Sequence, residues 1–262
     1  MWIRVRVRGS KWLLIGAVLT GWGLTACAGG DGSGGTPAAP NSPGSTASAS
    51  PARQPPLSVA ALKSVALTGD DVPGSPGISA DERTPADTQS TFPPASDVSC
   101  QKMLDALGAH GASAVVDQIF NWKGSIWAGG GTLASYRDTG AEQAFTQVRT
   151  SLTTCSDFKG VGYTGKFTAH VERERLPRLG DESIALRITT PVAQPAGLRS
   201  GKRVSVRSEE NVLVRVGNVT AHFTMLNMDH DDHFPLPLIR KELARIAEAQ
   251  RSGTAVETPE PR

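Results

Sequence analysis

Apolar residues recur with helical spacing in four stretches of the chain. The second stretch is marked at both ends, because Asp97 suits an N-cap and Gly108 suits a C-terminal stop. The third stretch contains Thr139 and Glu142, which have the spacing of a capping box. The pattern therefore predicts helices over 57–67, 97–108, 139–155 and 238–250.

Apolar runs, and runs in which apolar and polar residues alternate, predict strands in much of the rest of the chain. The predicted strands are 113–122, 125–136, 163–175, 183–190, 202–208 and 211–226. Three consecutive glycines at 129–131 indicate a bulge or a close backbone approach. In the last strand the apolar positions change parity at Gly217 and Asn218, which favours a tight hairpin over a bulge. Residues 70–94 are polar and rich in Pro and Gly, and they are predicted to form a loop.

The predicted helices and strands do not alternate regularly, as they would in a Rossmann-type sheet. Their order favours the α+β class, with an antiparallel sheet flanked by helices and one disulfide. Residues 57–251 have the length of a single domain.

The first 26 residues have the three-part layout of an export signal. Basic residues precede an apolar run, and small residues precede Cys27. The uncharged stretch 12–26 is shorter than the roughly 20 residues of a spanning helix, so a permanent transmembrane helix is the weaker interpretation. The basic residues are Arg4, Arg6, Arg8 and Lys11.

Residues 24–27, Leu-Thr-Ala-Cys, resemble the lipobox of bacterial lipoproteins. The resemblance implies cleavage of a signal peptide over 1–26 and acylation of Cys27, with palmitate as a typical acyl chain. Acyl chains of this kind would hold the protein at the cell membrane. An ordinary signal peptide with an incidental cysteine is the alternative.

Removal of the signal changes the composition that the rest of the chain presents. The sequence has 27 Lys+Arg and 25 Asp+Glu, and four of the basic residues lie in the signal. The remainder has no basic excess, so nucleic acid is not an expected partner. Residues 28–56 are almost all Gly, Ala, Ser, Thr or Pro. They cannot bury enough apolar surface to fold, so 27–56 are predicted to be the lipidated cysteine and a disordered tether, and 252–262 a disordered tail.

The chain contains three cysteines, and Cys27 is assigned to the lipid. In an oxidising exported compartment, Cys100 and Cys155 are expected to form a disulfide. Both lie on the apolar sides of predicted helices, so both are expected to face the core.

Several short motifs follow the lipobox and tether in an order that resembles a known family. They are LTGDDVPG at 67–74, Phe145 ahead of Cys155, LGDES at 179–183 and VRVGN at 214–218. The order resembles actinobacterial surface lipoproteins related to the PknH-like extracellular sensor domain, over about residues 57–250. The resemblance implies an antiparallel sheet flanked by helices, a disulfide, and a groove for an unidentified ligand.

The glycine-rich hairpin carries the most interesting binding candidates. Trp122 and Trp127 lie there, and a large aromatic beside a missing side chain can line a concavity for a small or hydrophobic ligand. Tyr136 is a third candidate for the same wall. Packing in the core is the alternative interpretation of these side chains.

The segment Asp-His-Asp-Asp-His at 229–233 is the densest group of potential metal ligands. His230, Asp232 and His233 could hold Zn²⁺ only in a preorganised geometry, which a polar loop beside two prolines does not indicate. A solvated connection is the preferred interpretation, and no metal or other cofactor is predicted.

Catalytic chemistry has little support in the sequence. Asp181 and Glu182 are neighbours on an extended segment, where adjacent side chains point apart, so a turn opening a strand is predicted instead of an acid/base pair. The sequence contains no nucleophile elbow, HExxH motif or P-loop. No catalytic residue is predicted, and an enzyme is the least favoured class.

These observations favour a lipid-anchored, extracytoplasmic binding or sensor-like module for an unidentified small ligand or envelope protein. The alternative is a structural or accessory cell-envelope lipoprotein that acts only through protein contacts. A concave site beside the glycine-rich hairpin distinguishes the two hypotheses.

Overall fold

The computed structural model describes residues 55–72, 78–84, 94–122, 128–162, 165–192, 205–228 and 232–252. The predicted signal peptide, Cys27 and nearly all of the tether and tail lie outside these ranges, as do Trp127 and His230. None of the described helices is long and apolar enough to span a membrane.

Four helices and eight strands form the described part of the chain, and every strand pairing is antiparallel. The sheet has the strand order β1-β2-β3-β8-β7-β6-β5-β4. The predicted α+β class and antiparallel sheet are therefore confirmed. In chain order the elements are α1 (Val59–Val65), β1 (Ile78–Glu82), α2 (Val98–Leu107), β2 (Ala114–Asn121), β3 (Ala128–Ser135), α3 (Gly140–Ser151), β4 (Asp157–Gly162), β5 (Gly165–Glu174), β6 (Glu182–Pro191), β7 (Val206–Val216), β8 (Val219–Met228) and α4 (Leu236–Arg251).

Helices α1 and α4 cover one face of the sheet. Leu62 of α1 packs in the same apolar cluster as Ile239, Leu243 and Ile246 of α4. These three α4 residues are the apolar stripe predicted for the last helix, and all three are buried. Helical spacing therefore identified the face of α4 that contacts the sheet.

Helices α2 and α3 cover the opposite face, and a disulfide lies in their core. Cys100 in the first turn of α2 is bonded to Cys155, with 4.9 Å between their Cα atoms. The predicted pairing is confirmed. The helical placement of Cys155 was wrong, because α3 ends at Ser151 and Cys155 follows the helix. Both cysteines are nevertheless buried in one apolar cluster with Phe145.

The helix ends test the predicted caps. The Asp97 side chain accepts a hydrogen bond from the Cys100 backbone N–H at 2.8 Å, and Gly108 is the C-cap, as predicted. The capping box at Thr139 was wrong, because this residue has ψ 12° instead of the extended backbone that an N-cap requires. Its hydroxyl accepts from Gln143 Nε2 at 3.0 Å, within the helix.

Two edge strands were not predicted. Strand β1 forms inside the stretch expected to be a loop, and β4 precedes the expected start of a strand at residue 163. An edge strand pairs on one side only and needs no continuous apolar run, so a pattern search detects it poorly. Pairing with β2 and β5 respectively completes the sheet at its two edges.

The predicted break between residues 208 and 211 was wrong, because β7 continues through Glu209 and Glu210. Glu210 is buried, and its Oε2 accepts from the Phe234 backbone N–H at 2.7 Å. A hydrogen-bonded carboxylate is tolerated in the interior, so the strand does not end there. The predicted hairpin is confirmed, since Val216 pairs with Val219 across a two-residue turn.

Candidate ligand-binding site

The three glycines of β3 lie in the centre of the sheet without a bulge. Residues 129–131 pair in unbroken register with β2 on one side and β8 on the other. A Cβ on Gly130 would lie 2.5 Å from Thr224 Oγ1, and one on Gly131 would lie 3.1 Å from the Phe120 ring. The predicted bulge is therefore wrong, and at Gly130 and Gly131 the nearest groups are side chains of the neighbouring strands instead of the close backbone approach that was the alternative.

A cleft of about 280 Å³ opens over this glycine stretch, beside the C-terminal end of α2. The absence of a side chain at Gly130 leaves the space, and the surrounding strands supply polar groups. We call it the Gly130 cleft. Its polar side chains are Arg83, Asp117, Thr132, Glu209, His222 and Thr224.

Arg83, which follows β1, is neutralised within the cleft. Its Nε donates to Asp117 Oδ2 at 2.7 Å, and its Nη1 donates to the Gly108 carbonyl at 2.6 Å. Thr132 Oγ1 donates to Asp117 Oδ1 at 2.8 Å. The arginine side chain is only 12% exposed, so its pairing with the more exposed Asp117 offsets part of the cost of burying the guanidinium charge.

His222 lies on β8, and its Nε2 is 3.0 Å from Asn211 Oδ1. Burial lowers the pKa of His222 to about 4, with a smaller contribution from the positive charge of Arg83. The imidazole is therefore neutral at neutral pH. Burial also raises the pKa of Glu209. The positive charge of Arg207, whose Nη2 lies 2.9 Å from Glu209 Oε2, opposes this effect and lowers the pKa.

The cleft therefore presents hydrogen-bonding groups with little net charge. Thr132 donates its hydroxyl to a carboxylate, and His222 contacts an amide oxygen. Among the described lining residues, no hydroxyl or thiol is hydrogen-bonded to the histidine, which is the contact a nucleophile and its base require. The arrangement suits the binding of a small polar ligand.

The aromatic candidates occupy different places. Trp122 lies on the α1/α4 side, stacked on Phe120 at 5.9 Å and edge-on to Phe234. Tyr136 is buried at the other end of the hairpin, in a cluster with Ala141 of α3, and burial raises its pKa. The structure does not bring the two rings together. The place of Trp127 stays a prediction, because it lies outside the described residues.

The metal-ligand candidates are also rearranged. His233 Nδ1 is 2.8 Å from Glu210 Oε1, and Glu174 brings a third ligand atom within 4.8 Å of both residues. Asp232 uses its backbone carbonyl, which accepts from Asn227 Nδ2 at 2.7 Å. Arg187 donates to Glu174, so this carboxylate of the cluster already has a cationic partner. The two glutamates were missed because they are far from His233 in sequence.

Asp181 and Glu182 both contact Arg215. Arg215 Nε donates to Glu182 Oε2 at 2.7 Å, and its Nη1 donates to Asp181 Oδ2 at 3.2 Å. The turn before β6 is confirmed, since Gly180 has φ +55° and the strand begins at Glu182. The two carboxylates are thus partners of one guanidinium.

Sequence reasoning did not select the polar residues of the Gly130 cleft. A signal was present, because Asp117 interrupts an apolar strand and shares the parity of exposed Ile119. Thr132 and His222 pair directly across β3 and β8 and so lie on one face. Only the pairing register shows that these residues meet.

Comparisons with known proteins bear on the fold. No family model matches the chain, and no curated protein matches it. The structure is similar to the extracellular domain of PknH from Mycobacterium tuberculosis, with a TM-score of 0.51 and 12% identity over 76% of this chain and 99% of that one. The chain therefore shares its fold with that domain. At this identity the likeness concerns the fold alone.

Proposed function

We propose that this protein is an extracytoplasmic binding or sensor-like module whose ligand occupies the Gly130 cleft. The observation that carries the proposal is a concave, polar site built over side-chain-free backbone in the centre of the sheet. Similarity in fold to an extracellular domain supports the extracytoplasmic location. The proposal assigns no catalytic residue.

The ligand class follows from the electrostatics of the cleft. Arg83 is paired with Asp117, and His222 is neutral at neutral pH. An ion would therefore meet no uncompensated opposite charge from these groups, whereas hydroxyl or amide groups would find donors and acceptors. A small, uncharged, polar ligand fits these properties best.

The anchor is a second part of the proposal. Residues 24–27 read as a lipobox, so the module is held at the outer face of the cell membrane by lipid on Cys27, through the tether of residues 28–56. Cys27→Ala should release the protein from the membrane fraction and remove the lipid mass from the N-terminal peptide. Unchanged membrane retention with no lipid on residue 27 would refute the anchor.

The binding function is tested by comparing natively purified protein with the same protein unfolded in urea, dialysed and refolded. A ligand whose free concentration is 100 times its Kd adds about 2.7 kcal/mol to the free energy of unfolding. The native preparation should therefore unfold at higher temperature than the refolded one. Adding the small molecules released by urea back to the refolded protein should raise its unfolding temperature to that of the native preparation.

Matched variants test whether the difference in unfolding temperature arises from ligand bound in the Gly130 cleft. Gly130→Val fills the cleft, and Thr224→Val removes a lining hydroxyl with little change in shape; both should abolish the difference between preparations. Gly69→Ala, at a position with open space, should preserve it. Equal unfolding temperatures for both wild-type preparations would contradict ligand binding and favour an accessory envelope protein.

A further inference from the structure

A second cavity, of about 350 Å³, lies away from the Gly130 cleft, beside the connection between β5 and β6. Three arginines from different parts of the chain line it. Arg149 comes from the last turn of α3, Arg173 from β5 and Arg178 from the connection. We call it the arginine pocket. This convergence of guanidinium groups requires an explanation.

The charges in the arginine pocket do not balance internally. Arg149 Nη1 lies 3.4 Å from Glu182 Oε1, but this carboxylate and Asp181 are already paired with Arg215. The guanidinium groups of Arg173 and Arg178 make no ion pair or hydrogen bond with any described side chain or backbone group. The pocket therefore has positive charge that the protein does not compensate.

The segment that presents Arg178 is held in place. The backbone N–H of buried Leu179 donates to Ser183 Oγ at 3.1 Å, and the Asp181 N–H donates to the Arg215 carbonyl at 2.9 Å. Gly180 lies between these contacts, where a Cβ would be 2.5 Å from the Arg215 carbonyl oxygen. A fixed backbone lowers the entropy lost when a ligand binds.

The pocket also has an apolar wall. Phe145 and Ile184 are core residues whose edges reach the cavity, and Leu176 is half-buried beside them. A ligand with an anionic group and a small apolar part would contact both surfaces.

We propose that the arginine pocket binds a phosphate group. The planar fork of arginine donates paired hydrogen bonds to oxyanions, and phosphate offers enough oxygens for more than one guanidinium at once. A carboxylate has two oxygens and would leave part of the cluster unused. The phosphate can belong to a free phosphorylated molecule or to a phospholipid headgroup, and the chemistry of recognition is the same.

The test is isothermal titration of the full chain with three probes: inorganic phosphate, phenyl phosphate and glycerophosphoglycerol, the soluble headgroup of a phospholipid. Inorganic phosphate should bind saturably, and phenyl phosphate more tightly because its ring reaches the apolar wall. Removing one charged donor should weaken binding about tenfold or more, so Arg173→Gln and Arg178→Gln should each show this loss.

Arg175→Gln is the matched control. Arg175 is also exposed and belongs to the same segment, but it does not line the pocket. It should bind all three probes as the wild type does. An equal loss in Arg175→Gln would show general attraction to a basic surface and overturn the proposal, as would the absence of saturable binding by every probe.

The probes also identify the source of the phosphate. Tighter binding of phenyl phosphate than of glycerophosphoglycerol supports a free phosphorylated molecule, and the reverse order supports a lipid headgroup, provided that binding depends on Arg173 and Arg178. The arginine pocket shares no lining residue with the Gly130 cleft. Gly130→Val should leave phosphate binding unchanged, so failure of one proposal is distinguishable from failure of the other.

Discussion

Two buried carboxylates, on Glu242 and Asp71, have pKa values outside their usual range, so they make the stability of this fold depend on pH. Glu242 of α4 is fully buried, and its Oε1 accepts from the Leu67 N–H at 3.1 Å and from Gln118 Nε2 at 2.6 Å. Burial raises its pKa to about 7, despite these two hydrogen bonds. Asp71 has the opposite response, because hydrogen bonds from Arg245 and Lys241 hold its pKa well below its usual range.

Glu242 should make stability fall as pH rises. Its pKa is higher in the folded protein than in the unfolded chain, so the folded state binds the proton more tightly. The stabilisation is complete below the unfolded value of 4.5 and is lost as pH rises through about 7. Between pH 4 and pH 8 the wild type should lose about 3 kcal/mol that Glu242→Gln retains, measured by urea unfolding.

The comparison of variants isolates this residue from other titrating groups. Glu248→Gln removes an exposed carboxylate from the same helix and should follow the wild-type pH profile. If Glu242→Gln also follows the wild-type profile, burial does not shift this group as described.

Gly180 is a position where the backbone itself requires glycine. Its φ is +55°, and a Cβ would lie 2.5 Å from the Arg215 carbonyl oxygen and 2.7 Å from Val214 Cγ1. Gly180→Ala should lower the free energy of unfolding by about 2 kcal/mol or more, because a left-handed residue costs 1–2 kcal/mol before any clash. Thermal or urea unfolding measures the loss.

A substitution at Gly111 separates the cost of the left-handed backbone from the cost of the contact with Arg215. It also has positive φ, +80°, but nothing lies within 4 Å of the place where its Cβ would be. Gly111→Ala should therefore lower the free energy of unfolding only by the cost of placing a non-glycine residue in the left-handed conformation. Equal losses at Gly111 and Gly180 would show that the contact with Arg215 does not restrict the turn.

At the scale of elements, the disulfide connects α2 to the segment that directly follows α3, on the face of the sheet that both helices cover. Replacing both Cys100 and Cys155 with alanine should lower the free energy of unfolding by about 2 to 4 kcal/mol, because the unfolded chain gains the freedom of a long open loop. Urea unfolding measures the change. Reduction of the wild type should produce a similar loss and should leave the variant unaffected; a reductant that does not alter wild-type stability would contradict this account.

The elements also show what sequence reasoning could predict. Helices α2 and α4 were predicted closely, because each carries a strong apolar stripe and a marked end. The edge strands β1 and β4 were missed, since their sequences depend on a neighbour for half of their structure. Glu210 of β7 was taken for part of a break, because only the folded chain shows that its carboxylate contacts His233 and the Phe234 backbone N–H.

The candidate sites were less predictable than the elements for a related reason. The glycine stretch at 129–131 correctly directed attention to the hairpin, but it did not say which face would be open. That depends on pairing, which places His222 and Asp117 on either side of Thr132. The arginine pocket likewise joins α3, β5 and the β5–β6 connection, whose sequence spacing has no simple period.

For the whole molecule, one sheet separates two kinds of surface. The α1/α4 face is closed by aromatic and aliphatic packing, which includes Trp122 and Phe234. On the other face, among the described residues, α2, α3 and the disulfide cover one part, and the Gly130 cleft opens beside the end of α2. Binding at this cleft is the central claim, and the lipid on Cys27 would hold the domain where it meets its ligand.

Native mass spectrometry of the protein purified from its own cell membrane tests that claim most directly. Wild type should carry an additional non-covalent mass that Gly130→Val lacks, while both carry the same lipid on Cys27. Wild type without additional mass, or an equal additional mass on Gly130→Val, would contradict the assignment of the cleft as the ligand site.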